Sequence, residues 1–520
     1  MMPNIVKFNL AGDDDERQIS RQLAARHTIK KEAAVAGRLT IYDTFDWRLF
    51  HKSLVLFAFQ DRLMLRKLGQ DRMIYSHHIK PTPCFIWDFP EGDFKRYLEP
   101  VIKMRRLLKC GDLVFRATPY RILNQDEKTV ARLFFETVRL PGRKDSRTIT
   151  TQLWVKPVKG YPKYSRKIKN QLEGLGLTSS GDEDIFFQAI RETNQDPGSY
   201  STKLNIKLHP DMRSAEATKI IMRFLFHVIK MNAAKLEQDL DTEFLHDYRV
   251  ALRRTRSALV WNKNIFSKET IARFKKDLSY IGKISNTLRD LDVYLLNQAT
   301  YKAMLPPVLR DDIDPLFAYL KKQRSTSFRK VVRSMTSKKY RKIMQDWETF
   351  LNEPQENLGA ESDTEHSVFD LARKRIYKQY KKVVKAGNRI LENSDDEMLH
   401  NLRIQCKKLR YLIQFFSNLF PSKKINILVG QLKKLQDRLG DYNDLSVQVK
   451  YLYVVAEKLP SNSSQMKKTF VAIGSLIDKL DTKRQSEKES FAQTFTRFSS
   501  SQNQMLFREL FELQSETVVS

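Results

Sequence analysis

Residues 246–256, "HDYRVALRRTR", set one histidine and four arginines on a stretch of helical apolar spacing, with Asp247 as almost its only acid. At 400–410, 154 positions later, "HNLRIQCKKLR" places His400, Arg403, Lys407, Lys408 and Arg410 opposite His246, Arg249, Arg253, Arg254 and Arg256. Aligned without gaps, 246–293 and 400–447 share ten identities, including Asn264/Asn418, Leu278/Leu432 and Asp290/Asp444. Composition alone gives roughly three. The pattern predicts two copies of one helical unit related by pseudo-symmetry.

At 100° per residue, His246, Arg249, Arg253 and Arg256 share an arc of about 80°. Tyr248, Ala251, Leu252, Thr255 and Leu259 fall on the other side and can face a core. Leu402, Leu409 and Ile413 do the same for His400, Arg403, Lys407 and Arg410. The preceding helices add Lys219, Arg223, His227 and Lys230 in the first copy, and Lys374, Lys378, Lys381 and Lys385 in the second, again at same-face spacing. Pseudo-symmetry is expected to bring these rows together around one surface. A solvated basic face is the ordinary alternative, but helices normally answer Arg with an acid four residues on, and here that answer is missing. Like charges so stacked cost stability unless an anion neutralises them. Arg offers a two-pronged donor to phosphate oxygens, and His adds a donor whose charged form an anion favours.

Outward from these segments, apolar spacing stays helical from about 206 to 515, with breaks at 305–315, 352–367, 393–396, 420–424 and 459–464, and predicts ten or more helices. Upstream, residues 38–160 return repeatedly to short runs such as "RLTIY", "SLVLFAF" and "TVARLFFETVRL", rich in β-branched and aromatic residues. An antiparallel α+β domain is expected there, with an inserted helix at 91–111. The polar, Gly- and Pro-broken stretch 177–205 reads as a linker.

With 520 residues, 92 Lys+Arg against 61 Asp+Glu and a formal charge of +31, the chain favours a polyanion, an acidic surface or an anionic membrane as partner. Cys84, Cys110 and Cys406 are widely spaced and form no CxxC pair, so neither a disulfide framework nor a zinc knuckle is suggested. No secretory signal pattern and no run of about 18 apolar residues occurs, so a cytoplasmic location without a membrane span is expected. Walker, GxGxxG, GxSxG and HExxH motifs are absent, and no cofactor is called for. His77 and His78 lack a third ligand at usable spacing and read as a surface pair.

The segments "FLHDYRVALRRTRSAL" and "MLHNLRIQCKKLRYLI", followed by "TLRDLDV" and "LGDYNDL", resemble the two halves of the CHAD domain, the conserved histidine α-helical domain. The resemblance covers about 206–515, with repeats at about 206–350 and 365–515. It implies an all-α bundle of two pseudo-symmetric halves around a basic pore or groove that binds inorganic polyphosphate. Carried onto this chain, the implied binding residues are His246, Arg249, Arg253, Arg254, Arg256, His400, Arg403, Lys407, Lys408 and Arg410, with Lys219, Arg223, Lys230 and Lys378 from the preceding helices. Asp290, Asp292 and Asp444 read as acids that order neighbouring basic side chains. One departure is "SNTLRDLD", where Ser285 and Asn286 replace the family's Leu-Gly; a local change of packing is expected.

The segments 38–59 and 153–177 resemble parts of the CYTH domain, the triphosphate tunnel fold, over about 1–176. That fold's chemistry requires a Glu-x-Glu-x-Lys strand whose carboxylates hold divalent metal. This chain has "NIVKFNL" there, and Phe57 and Phe59 stand where phosphate-binding arginines are expected. A degenerate, tunnel-like and non-catalytic sheet domain is therefore the expectation. Polyphosphate binding by the helical part is the leading reading, with association with polyphosphate granules implied and other polyanions as further partners. The rivals are a metal-dependent triphosphatase in 1–176 and nonspecific nucleic-acid binding through the basic surface. Sparse aromatic interleaving in the bundle argues against a dedicated single-strand binder.

Overall fold

The computed structural model describes every residue except 1–4, 13, 69–72, 79–81, 143–147, 180–183, 193–195, 203, 205, 262–264, 354–366, 393–394, 461–462 and 514–520, with Asp14 described by its backbone alone. Of the expected breaks, 354–366, 393–394 and 461–462 lie outside the described residues. The chain divides into two compact units, Met1–Ser201 and Thr202–Ser520.

Among the described residues of the first unit, nine strands form one antiparallel sheet: β1 (Val6–Leu10), β2 (Thr28–Lys31), β3 (Val35–Thr44), β4 (Leu54–Phe59), β5 (Arg62–Lys67), β6 (Met73–His78), β7 (Leu107–Leu123), β8 (Thr129–Arg139) and β9 (Thr148–Pro157). Their order is β1-β9-β8-β7-β3-β4-β5-β6, with β2 against β7. Four helices accompany them: α1 (Asp14–Ala24), α2 (Asp93–Ile102), α3 (Pro162–Gly174) and α4 (Ile185–Arg191). Period-two alternation assigns β4 to two cores. Val55, Phe57 and Phe59 join Phe186, Phe187 and Ile190 of α4, whereas Leu54 and Leu56 join Phe94, Leu98 and Ile102 of α2.

Two expectations change here. The helix inserted at 91–111 is shorter, because Lys103 takes a positive φ of 56° and its N–H caps the Glu99 carbonyl; residues 107–111 already belong to β7. The stretch 177–205 is not merely a linker. Asp184 caps α4 by accepting the Phe186 N–H, and its other carboxylate oxygen accepts a 2.7 Å bond from buried Arg66. Phe57 and Phe186 pack with ring centroids 5.4 Å apart, so the sheet face on which Phe57 lies is filled by α4. The "IFFQAI" apolar run reads as an ordinary short segment until the sheet supplies its partner.

The second unit is helical: α5 (Ser214–Leu236), α6 (Thr242–Trp261), α7 (Lys268–Ile284), α8 (Asn286–Leu296), α9 (Gln298–Met304), α10 (Asp314–Met335), α11 (Lys338–Asn352), α12 (Val368–Glu392), α13 (Asp396–Phe415), α14 (Ser422–Ala456), α15 (Ser464–Glu489), α16 (Phe491–Phe498) and α17 (Ser501–Phe511). The starts of α12, α13 and α14 lie 154 positions after those of α5, α6 and α7, so the internal repeat is structural. Local chemistry sets several starts: Ser267, Ser337, Ser463 and Ser500 each accept a backbone N–H in the first turn of α7, α11, α15 and α17. The copies differ at Ser285. The first is broken there into α7 and α8, while the second runs through Leu439 and Gly440 as the 35-residue α14.

The halves share a core in which Leu291, Tyr294, Leu316 and Phe317 of the first meet Leu445, Leu452, Ile473 and Leu476 of the second. Each such buried side chain contributes about 1.5–3 kcal/mol. Close approach is also needed at Gly387 of α12, where an added Cβ would overlap the ring of Phe495. Gly387→Ala is expected to destabilise the protein by about 1–3 kcal/mol, by overpacking. Thermal unfolding checks this, and Phe495→Leu in the same chain should restore part of the loss.

Candidate functional site

The basic helices α6 and α13 meet at a cavity of about 330 Å³ lined by His246, Asp247, Val250, Arg253 and Arg254 of α6, Lys407, Arg410 and Tyr411 of α13, Leu225 and Val228 of α5, Gln436 of α14 and Thr202. The apolar positions of α6 fix its orientation. Phe244, Leu245, Tyr248 and Leu252 are buried, and the Tyr248 hydroxyl lies 3.1 Å from that of Tyr340 on α11.

Among the described lining residues, five cationic or protonatable groups thus converge, with Asp247 as the one carboxylate. Arg254 donates to the Thr202 carbonyl at 3.1 Å and to Gln414 Oε1 at 3.3 Å, and Arg410 donates to Gln436 Oε1 at 3.0 Å. These acceptors are neutral, so they position the guanidinium groups without cancelling their charge. Arg253 and Lys407 have no hydrogen-bond or carboxylate partner among the described residues. Burial lowers the Lys407 ammonium to about 8, and the positive charges of Arg403 and Arg253 push it the same way. Arg253 belongs to the first repeat and Lys407 to the second, so the repulsion crosses the pseudo-symmetry axis.

The structure divides the expected basic row. Relative to His246, cavity-lining Val250, Arg253 and Arg254 stand at about +40°, −20° and +80° around α6, whereas Arg249 and Arg256 stand at about −60° and −80°. Arg249 accordingly turns to the α7–α8 junction, where its Nη1 donates to the Gly282 carbonyl, Ser285 Oγ and Asn286 Oδ1 at 3.2, 3.0 and 2.8 Å. Burial, followed by repulsion from Arg253, lowers its guanidinium to about 10, which leaves it charged at neutrality. The two residues that depart from the family pattern are therefore the ones that hold Arg249. In the second repeat, Leu439 and Gly440 offer no such side chains, and Arg403 pairs instead with Asp444 at 3.0 Å. Arg249 and Arg403 border the cavity electrostatically but are held elsewhere.

Other assigned residues lie away from it. His400 is exposed, with Nδ1 2.7 Å from Asn443 Oδ1, so the two histidines do not line one cavity. Arg256 lies beside Gly282 of α7, and Lys408 is half-buried but outside the lining. The α5 row is also redirected, because it faces the C-terminal end of α11. Lys219, 1% exposed, donates to the Glu353 carbonyl at 2.6 Å; Arg223 donates to the Leu351 carbonyl at 3.0 Å; Lys230 pairs with Glu348 at 2.8 Å. Unsatisfied carbonyls and the negative end of the helix dipole make this a favourable place for cations, so these side chains serve packing. Lys378 is exposed on α12 and does not line the cavity.

Asp292, 1% exposed, pairs with Arg324 at 2.7 Å, and Arg324 also binds Asp239 through both terminal nitrogens. Sequence reasoning missed Thr202, Tyr411 and Gln436. Tyr411 follows Lys407 by four residues and was legible as a same-face neighbour; Gln436 carries no signal. Among the described residues no cluster of three metal-ligating side chains occurs, and no helix is long and apolar enough to cross a membrane.

A duplicated helical unit with a cationic cavity between its copies defines the class. Residues 220–453, within the helical unit, match the family model for the CHAD domain. Two uncharacterized proteins of Mycobacterium tuberculosis, from strains CDC 1551 and H37Rv, are each 23% identical over 210 residues, which is 40% of this chain. The chain spans about two-fifths of the length of these curated relatives. The crystal structure of the CHAD domain from the plant Ricinus communis aligns at 22% identity and a TM-score of 0.48, covering 57% of this chain and 97% of that one. PptA from Streptomyces chartreusis aligns at 12% identity and 0.43, covering 55% and 100%.

Proposed function

We propose that the cavity between α6 and α13 binds inorganic polyphosphate, holding a short run of its phosphates by charge and by guanidinium and ammonium hydrogen bonds, without chemistry. The observation that carries this reading is the opposed pair Arg253 and Lys407, cations from different repeats that have no acceptor among the described residues, in a cavity with one carboxylate among its described lining residues. An anion between them would replace a repulsion by two charge-assisted bonds. The first unit, on this proposal, is a degenerate relative of the CYTH fold and contributes no hydrolysis; packing of Phe57 against α4 supports that part. Action in the cytoplasm, beside polyphosphate-rich bodies, belongs to the same proposal.

Titration with inorganic polyphosphate at several salt concentrations tests it. With four cavity cations fully charged, log affinity should fall against log salt with a slope of about −3. A flat dependence, or no binding, rejects the reading. The pH dependence is a second check. Lys407, at about 8 in the free protein, loses its proton as pH rises, and a bound anion should return it towards the ordinary lysine value. Affinity should then fall about tenfold between pH 7 and 9. Isothermal titration should show proton uptake on binding near pH 8, and Lys407→Arg should flatten the profile.

A further inference from the structure

The row Lys374, Lys378, Lys381 and Lys385 of α12 does not join the central cavity; with Arg389 it spans about 22 Å of the helix within an arc of about 80°. All five are exposed. Among the described residues, no carboxylate pairs with Lys374, Lys378, Lys385 or Arg389. Lys381, Lys385 and Arg389 line a groove of about 590 Å³ between α12 and α17, with Arg508 on the far wall and Glu392 at one end. Tyr380 also lines it; the residue is 5% exposed, and its hydroxyl has no hydrogen-bond partner. A buried phenol donor among four cations is matched by an anion's oxygen.

We propose that this groove is a second anion-binding surface, which takes a linear phosphate chain along α12. In naming a phosphate chain, the inference rests on the function proposed above; the site itself is independent of it. The aromatic geometry favours a polymer without bases. The Tyr380 ring is stacked on Phe507 at 3.8 Å, the Tyr377 hydroxyl donates to Glu512 Oε1 at 2.7 Å, and Lys381 stands over the Tyr377 ring at 4.9 Å. These commitments withhold the ring faces on which bases of a single strand would stack. A long chain can engage groove and cavity at once and gain by effective concentration, whereas a short one cannot.

The test compares the full chain with a Lys381→Gln/Lys385→Gln/Arg389→Gln variant, using tripolyphosphate and long-chain polyphosphate as probes. Because all three positions are exposed, folding should be retained, which circular dichroism and melting verify. Affinity for the long chain should fall about tenfold and its salt slope should become shallower by about 2, with tripolyphosphate binding unchanged. Unchanged long-chain affinity, or equal loss for both probes, overturns the inference. So does tighter binding of a single-stranded oligonucleotide of equal charge that the triple variant abolishes. If the groove variant loses long-chain binding while Arg253→Gln/Lys407→Gln loses none, the cavity reading fails and the groove stands.

Discussion

Arg253→Gln/Lys407→Gln should lower affinity for tripolyphosphate by about 100-fold or more while leaving the protein folded. Each charge-assisted hydrogen bond lost is worth about 1.5–3 kcal/mol, and two together exceed the roughly 2.8 kcal/mol that a 100-fold change requires. Stability should move in the opposite direction. In the free protein Lys407 is held at about 8 by burial and by the charges of Arg403 and Arg253, so removing both cavity cations relieves a desolvation cost and a repulsion. The melting temperature of the unliganded variant should equal or exceed that of the parent, and stabilisation by added polyphosphate should vanish. Lys408→Gln, outside the cavity lining, is the control and should change affinity little. Retained affinity in the double variant would remove the basis of the proposed function.

The second large effect concerns stability. Arg324 neutralises Asp292, which is 1% exposed, and binds Asp239 in two-pronged fashion. Arg324→Ala leaves a buried carboxylate without its partner, which costs about 3–5 kcal/mol. The pH dependence identifies the cause. Burial raises the Asp292 carboxyl above its ordinary value, and Arg324 opposes that rise. Without the guanidinium the folded protein holds this proton more tightly than the unfolded chain does. Stability of the variant should therefore fall as pH rises from the carboxylate range towards neutrality and recover in mild acid. Urea unfolding at pH 5 and pH 7.5 measures the difference. Asp292→Asn in the Arg324→Ala chain should recover much of it, and polyphosphate affinity per folded molecule should be unaffected, since neither residue lines the cavity.

The duplication was legible because one pattern recurs at a fixed offset: identical side chains at 246/400 and 249/403 on equal apolar spacing require equal helices, and the helix starts repeat by 154 positions. The antiparallel sheet before the bundle was legible from period-two runs. Less visible was the role of residues 185–190, because a short apolar run does not state which sheet face it will fill. Ser285 and Asn286 were recognisable as a departure from a family pattern, yet only packing showed them accepting hydrogen bonds from Arg249 and breaking the helix that continues unbroken in the second repeat.

By itself, then, the sequence determined the two helical copies, their cationic rows and the shortage of acids beside them, since helical period and residue charge are local properties. Which cations remain available was decided only by tertiary structure. Arg249 and Arg256 are separated from Arg253 by a few tens of degrees on the same helix, and what lies across each sector belongs to a different part of the chain: Gly282 and Ser285 on one side, Lys407 on the other. A guanidinium that meets a carbonyl is held in place, and one that meets another cation needs an anion; helical spacing alone does not carry that distinction.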